Sequence, residues 1–289
     1  MAKPESVVFL ITSPDQKGLV SRLSAFFYER GFNILHCQQH TDVARNQYFM
    51  RMELDLAGLS TSRRVLEEEF GRLASPLGMR WSVRYSDYVQ KVAVMVTKKS
   101  HCLFDLLLRQ EEGELRCEIP VIISNHPDLE SVADMFRIPY HCLPLTRETR
   151  QLQEQQIRKL IKQYHIDLIV LARYMQVLSE AFVRDYEGRI INIHHAFLPA
   201  FQGANPYLQA YERGVKMIGA TAHYATVDLD EGPIIEQDVE RVTHEHTVED
   251  LARIGRDVER VVLARAVKAH LEHRTIVSNG RVVVFSAGS

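Results

Sequence analysis

Short apolar blocks and helical stripes alternate along this chain, and the pattern changes once. Val7–Ile11 is an uninterrupted apolar run, which reads as a buried strand. After the turn Ser13-Pro14-Asp15-Gln16-Lys17-Gly18, the residues Leu19, Leu23, Phe26, Phe27 and Tyr28 recur at helical spacing, and Gly31 is placed to end that helix. Phe32 to Thr41 and Gln47 to Leu54 form a strand pair around Ala44-Arg45-Asn46. Thr61 to Leu73 is a helix with Val65, Leu66, Phe70 and Leu73 on its apolar face. Met79, Trp81, Val83 and Tyr85 then alternate, as on a half-buried strand. The order strand-helix-strand-strand-helix-strand predicts a ferredoxin-like βαββαβ domain.

From Lys91 strands and helices alternate. The predicted strands are Val92–Thr97, Ile119–Ser124, Leu168–Ala172 and Ile190–Ile193; the helices are His101–Arg109, Leu129–Phe136 and Glu148–Tyr164. This rhythm predicts a mostly parallel sheet covered on both faces, a Rossmann-like α/β domain. Strands over Met217–Thr226 and Ile234–Val242 follow. A long amphipathic helix over Val248 to Leu271 carries Leu251, Ile254, Val258, Val261, Val262 and Val267 inward. A hairpin of Thr275–Ser278 and Arg281–Phe285 turns at Asn279-Gly280. The expected division is residues 1–87 and 88–289.

Charge and composition narrow the function classes. Lys+Arg number 35 and Asp+Glu 37, a net charge of −2, without the excess of basic residues a general nucleic-acid binder needs. The apolar runs are no longer than those of Val7–Ile11, Val92–Val96 and Leu168–Ala172, far short of the about 20 residues that span a bilayer. The first residues lack a signal-peptide core, so a cytoplasmic setting is expected. Cys37, Cys102, Cys117 and Cys142 are far apart and form no C-x-x-C pair; reduced, mostly buried thiols are expected.

The densest polar cluster is Asn192-Ile193-His194-His195 at the C-terminal end of a predicted parallel strand, where open α/β sheets hold ligands. Alternation puts Asn192 and His194 on one face and His195 on the other. The loop Asp228-Leu229-Asp230-Glu231-Gly232-Pro233 supplies a carboxylate. A carboxylate that takes a proton from water, with an imidazole and an amide that stabilise an oxyanion, form a hydrolytic set. No G-x-S-x-G elbow accompanies it. A metal site on His194, His195 and Asp230 is the rival reading, weakened because adjacent strand histidines diverge. Taken singly, each histidine reads as a satisfied or surface residue and Asp230 as a turn carboxylate.

Asn192-Ile193-His194, Phe197-Leu198-Pro199 and Leu229-Asp230-Glu231-Gly232-Pro233 together resemble the signature of enzymes that use 10-formyltetrahydrofolate. Leu171-Ala172-Arg173-Tyr174-Met175-Gln176-Val177-Leu178-Ser179 resembles their pterin-binding loop. The stretches His194-His195, Pro199-Ala200-Phe201, Gly203-Ala204-Asn205-Pro206-Tyr207, Ala210-Tyr211-Glu212-Arg213-Gly214 and Gly219-Ala220-Thr221-Ala222-His223-Tyr224 resemble the formyltetrahydrofolate deformylase family. Asp15-x-x-Gly18 and Gly31-Phe32-Asn33-Ile34 resemble that family's N-terminal ACT module. Ala196 stands where the family often has Ser.

The resemblance implies an ACT domain followed by a formyltransferase-like domain that hydrolyses 10-formyltetrahydrofolate to tetrahydrofolate and formate, which can feed purine synthesis. It implies Asn192, His194 and Asp230 as catalytic residues and Met175, Gln176, Val177, Leu178 and His223 as substrate-binding residues. Folate is then the substrate; no cofactor and no metal are expected. A homo-oligomer, dimer or tetramer, with an amino-acid effector (glycine or methionine) at the ACT interface is implied, with neither nucleic acid nor membrane as partner. The related glycinamide ribonucleotide transformylases hold the acceptor phosphate on a glycine-containing turn after the first strand. Here that place reads Thr97-Lys98-Lys99-Ser100-His101-Cys102, without glycine, which suits water as the acceptor. A transferase acting on an amine and a catalytically silent amino-acid sensor are the other readings.

Overall fold

The computed structural model describes residues 5–57, 62–146, 149–200 and 206–287. The chain divides into two compact units. One comprises Met1–Val89, His273–Ile276 and Val283–Ser289; the other comprises Gln90–Glu272 and Val277–Val282.

The first unit runs β1 (Ser6–Pro14), α1 (Leu19–Tyr28), β2 (Ile34–Asp42), β3 (Gln47–Asp55), α2 (Arg63–Ala74) and β4 (Arg80–Tyr85), the expected βαββαβ order. Its sheet has the order β2-β3-β1-β4 with every pair antiparallel. Val7, Phe9 and Ile11 alternate toward α1 and α2, and the Phe9 ring packs on Phe27 at 4.9 Å and on Phe70 at 4.7 Å. Tyr28, expected in the α1 stripe, is 81% exposed, because the position after Phe27 has rotated off the buried face. Ser62 caps α2 by accepting the Val65 N–H at 3.4 Å; the expected start at Thr61 lies outside the described residues.

The second unit runs β5 (Gln90–Val96), α3 (His101–Glu111), β6 (Cys117–Ser124), α4 (Glu130–Met135), β7 (Tyr140–Cys142), α5 (Arg150–Gln163), β8 (Leu168–Leu171), α6 (Glu180–Asp185), β9 (Ile190–His194), α7 (Pro206–Glu212), β10 (Met217–Tyr224), β11 (Ile234–Arg241) and α8 (Val248–Leu271). The expected start of α5 at Glu148 lies outside the described residues. The seven-stranded sheet has the order β11-β10-β9-β8-β5-β6-β7. It is parallel from β9 to β7, while β10 is antiparallel to both its neighbours. Val92, Val94 and Val96 face α3 and α8; Ala93 and Met95 face α5 and α6. The helices of both layers therefore bury every side chain from Val92 to Val96, which explains the unbroken apolar run of β5. Thr247 and Asp250 form a reciprocal capping box at the start of α8. The hairpin of β12 (Thr275–Ser278) and β13 (Arg281–Val284) closes the described chain, its residues divided between the two units.

All four cysteines are free. Cys102 and Cys117 are buried, but Cys37 and Cys142 are exposed, because each lies on the edge strand of its sheet. Among the described residues no helix is long and apolar enough to cross a membrane.

Candidate active site

Strand β9 directs the site. Ile191 and Ile193 enter the α8-side core, and Ile190 enters the opposite one. Asn192 and His194 share the parity of Ile190, so both side chains emerge on that second side, where the strand ends. His195 departs from the expectation of divergence. The strand stops at His194, alternation no longer applies, and His195 borders the same cavity with its ring centroid 5.2 Å from that of His194.

The cavity measures about 310 Å³, the size range of a small-molecule site. Asn192, His194, His223 and Asp230 form its polar floor; Leu171, Tyr174, Val183 and Ile193 are among its apolar walls. Asp230 has φ 59, a left-handed conformation that an Asp tolerates better than most residues. This backbone turn brings Asp230 Oδ2 to 3.2 Å from His194 Nδ1, and Oδ1 lies 3.7 Å from His223 Nε2. Gly232 makes the turn feasible: a Cβ there would lie 1.7 Å from the Tyr224 carbonyl oxygen.

His223 is 2% exposed and anchors the floor from below. Its Nδ1 lies 3.0 Å from the Tyr224 carbonyl, which can only accept a hydrogen, so Nδ1 carries the proton. Nε2 then accepts the Asn192 amide at 3.2 Å, leaving the second Asn192 N–H for a ligand. His223 was expected among the substrate-contacting residues; it borders the cavity, but both its nitrogens serve the protein's own groups.

Burial of Asp230 works against its charged form. The hydrogen bond and charge of His194, with His223 close by, outweigh burial and hold the carboxyl well below the usual carboxylate range, so it stays ionised. Burial pushes His195 down to about 4, helped by the charges of Arg173 and His194.

The folded state therefore refuses a proton that the unfolded chain takes near pH 6.5, so the neutral His195 contributes fully above about pH 6.5, and that contribution is lost as pH falls toward about 4. At pH 5 the loss is about 2 kcal/mol. Urea unfolding at pH 7 and pH 5 checks this: the drop is expected to shrink in His195→Gln, and an equal drop in both proteins would remove His195 from the account.

The stretch Arg173 to Ser179 forms the cavity rim. Thr97 Oγ1 accepts the Met175 N–H at 3.0 Å, Arg150 donates to the Val177 carbonyl, and Glu154 accepts the Ser179 N–H at 2.7 Å. With the backbone so held, Met175 and Val177 stand 55% exposed beside the opening, and Gln176 and Leu178 also border it. All five expected substrate-binding residues thus surround one cavity with the three expected catalytic ones. Phe201, Gly203, Ala204 and Asn205 lie outside the described residues.

A buried polar cluster was not anticipated. Glu259, 1% exposed on α8, pairs with His101 Nε2 at 2.7 Å, accepts the Tyr207 hydroxyl at 2.5 Å and faces Arg173 Nε at 3.5 Å. Its signal in the sequence is a carboxylate between Val258 and Val262 on the inward stripe of α8. His101, Cys102 and Glu259 also offer possible metal-ligand atoms within 4.8 Å of one another. Burial raises the Cys102 thiol well above its ordinary value, however, and His101 is already spent on Glu259, so this set suits a hydrogen-bonded cluster better than a cation.

Comparisons with known proteins show the family. A family described as Formyl transferase matches residues 90–267, and the ACT domain family matches residues 7–71. A formyltetrahydrofolate deformylase from Synechocystis sp. is 53% identical over 281 residues, 97% of this chain and 99% of that protein. The crystal structure of a formyltetrahydrofolate deformylase from Pseudomonas syringae superposes with a TM-score of 0.96 at 41% identity, covering 99% of this chain and 96% of that one. Glycinamide ribonucleotide transformylase 1 from Symbiobacterium toebii superposes with a TM-score of 0.65 at 29% identity, covering 70% of this chain and 97% of that one.

Proposed function

The chain belongs to the formyltetrahydrofolate deformylase family, and from that premise we propose that it hydrolyses 10-formyltetrahydrofolate to tetrahydrofolate and formate. The observation that carries the reading is the meeting of Asp230, His194 and Asn192 at one end of the cavity, with Asp230 Oδ2 3.2 Å from His194 Nδ1. The pterin lies along the rim of Met175, Gln176, Val177 and Leu178, which brings the formyl group to the polar floor. Ionised Asp230 accepts a hydrogen bond from water and aims its oxygen at the formyl carbon. As the carbon–oxygen bond forms, the carbonyl oxygen gains charge. The free Asn192 N–H and a proton on His194 Nε2 stabilise that charge. The water proton received at Asp230 passes to N10, the carbon–nitrogen bond breaks with its electrons on N10, and formic acid ionises to formate. Folate is the substrate and the proposal uses no cofactor.

Transfer to an amine is the second reading, favoured by the likeness to the Symbiobacterium transformylase. Against it, two side chains of the turn after β5 are committed internally. Thr97 Oγ1 donates to Asn125 at 2.9 Å and accepts the Met175 N–H, and His101 is bound to Glu259. Donor consumption with and without glycinamide ribonucleotide separates the two. Equal rates and no formylated product are expected; turnover that requires the ribonucleotide would overturn hydrolysis.

Residues 1–87 serve as the regulatory part and 88–289 as the catalytic part in this reading, and the four free cysteines support a cytoplasmic setting. The ACT match supports binding of an amino acid, with glycine or methionine proposed at an interface between copies in a dimer or tetramer. An effector changes turnover only if it binds two states unequally. Glycine or methionine is therefore expected to alter the rate of the full chain, and light scattering to show an oligomer. An unchanged rate across a panel of amino acids counts against this regulation.

A further inference from the structure

Arg173 follows β8 with φ 65, in the left-handed region that long side chains rarely occupy. This conformation aims a cation inward, and the guanidinium is enclosed, its side chain 12% exposed. Nε and Nη1 are buried, and among the described residues neither donates a hydrogen bond. The facing carboxylate, Glu259, is 3.5 Å away and already engaged: His101 holds Oε2 at 2.7 Å and Tyr207 holds Oε1 at 2.5 Å. Buried guanidinium groups are costly unless their fork of donors is met. A second orphan lies on the same cavity. His194, its side chain 5% exposed, turns Nδ1 to Asp230 and leaves Nε2 buried without a partner. Arg173 and His194 both border the cavity.

We propose that Arg173 and His194 Nε2 form a subsite for formate, the one-carbon carboxylate that the reaction releases. The inference rests on the hydrolytic reading and extends it to the product. Water addition gives the formyl carbon two oxygens, and loss of N10 with its proton leaves formic acid. Formic acid loses its proton to solvent, and the two formate oxygens lie between the guanidinium and the His194 Nε2–H that faced the oxyanion. Arginine matches a planar two-oxygen anion through parallel N–H donors, which a lysine ammonium does not. The cation also explains part of why His195 stays neutral: its charge disfavours a proton on that ring, after burial itself. A neutral His195 does not compete with Arg173 and His194 for the anion.

The probe is [13C]formate, titrated into the resting full-length protein and followed by line broadening, without folate present. Wild type is expected to bind it saturably. Arg173→Gly removes the guanidinium and suits the φ of 65, and it is expected to weaken binding about tenfold or more, the worth of one charge-assisted hydrogen bond. Arg173→Lys keeps the charge without the fork, and an intermediate affinity is expected; it decides the matter if the glycine variant does not fold. Product inhibition by formate is expected to weaken in the same order. Formate affinity unchanged in either folded variant, or no saturable binding by wild type, overturns the subsite. A wild type that releases formate from 10-formyltetrahydrofolate yet fails this titration leaves the hydrolytic reading standing and removes only the subsite. Formate binding through Arg173 without any hydrolysis has the opposite consequence.

Discussion

Asp230→Asn is expected to lower kcat by about 10²–10⁴-fold, the range for loss of one acid–base group, with KM moving far less. The carboxylate has two tasks, of which an amide cannot perform the first and performs the second more weakly. It accepts the water proton, and it holds His194 through Nδ1 at 3.2 Å with Nε2 turned away from it. An amide at the same place also weakens the electrostatic hold on that ring. The cavity walls proposed to take the pterin come from Met175 to Leu178 and are left untouched, which is why binding is expected to persist. Steady-state kinetics on the folded variant check this, and near-wild-type kcat would remove Asp230 from the proton path.

Gly232→Ala is expected to cost about 10²-fold or more in kcat, because a misplacement of about 1 Å at a reacting group has that effect. The added Cβ would lie 1.7 Å from the Tyr224 carbonyl oxygen and 2.9 Å from His223 Nδ1. The carbonyl belongs to β10 and is fixed by sheet pairing, so the loop has to move, carrying Asp230 away from His194. The same carbonyl accepts the His223 Nδ1 proton, and the added Cβ crowds that nitrogen, so the ring that holds Asn192 is disturbed as well. Thermal unfolding and kinetics measured together check the prediction. A folded variant with unchanged kcat shows that the loop adjusts without moving Asp230.

Much of this arrangement was legible in the sequence where one period governs a long enough stretch. Helix α8 carries its apolar stripe over six turns and has the expected bounds, Val248–Leu271. Three short elements were missed: β7 has three residues, α6 six and α7 seven. The pairing of Asn192 with His194 followed from alternation, and the error about His195 came from extending alternation one residue past the end of β9. The cluster of His101, Arg173, Tyr207 and Glu259 was illegible for another reason. Its members come from α3, the end of β8, α7 and α8, and only the sheet order brings them together. The Leu171–Ser179 stretch resembles a pterin-binding loop, but nothing in a linear motif marks Arg173 as a buried cation with donors unmet.

The central claim is that water is the formyl acceptor, and isotope transfer reads this directly. The full-length protein is incubated with 10-formyltetrahydrofolate in 18O-labelled water with no amine present, and formate and tetrahydrofolate are quantified by mass spectrometry. Equimolar products are expected, each formate carrying one 18O from solvent. Formate without label, or no formate until an amine acceptor is added, would contradict the account.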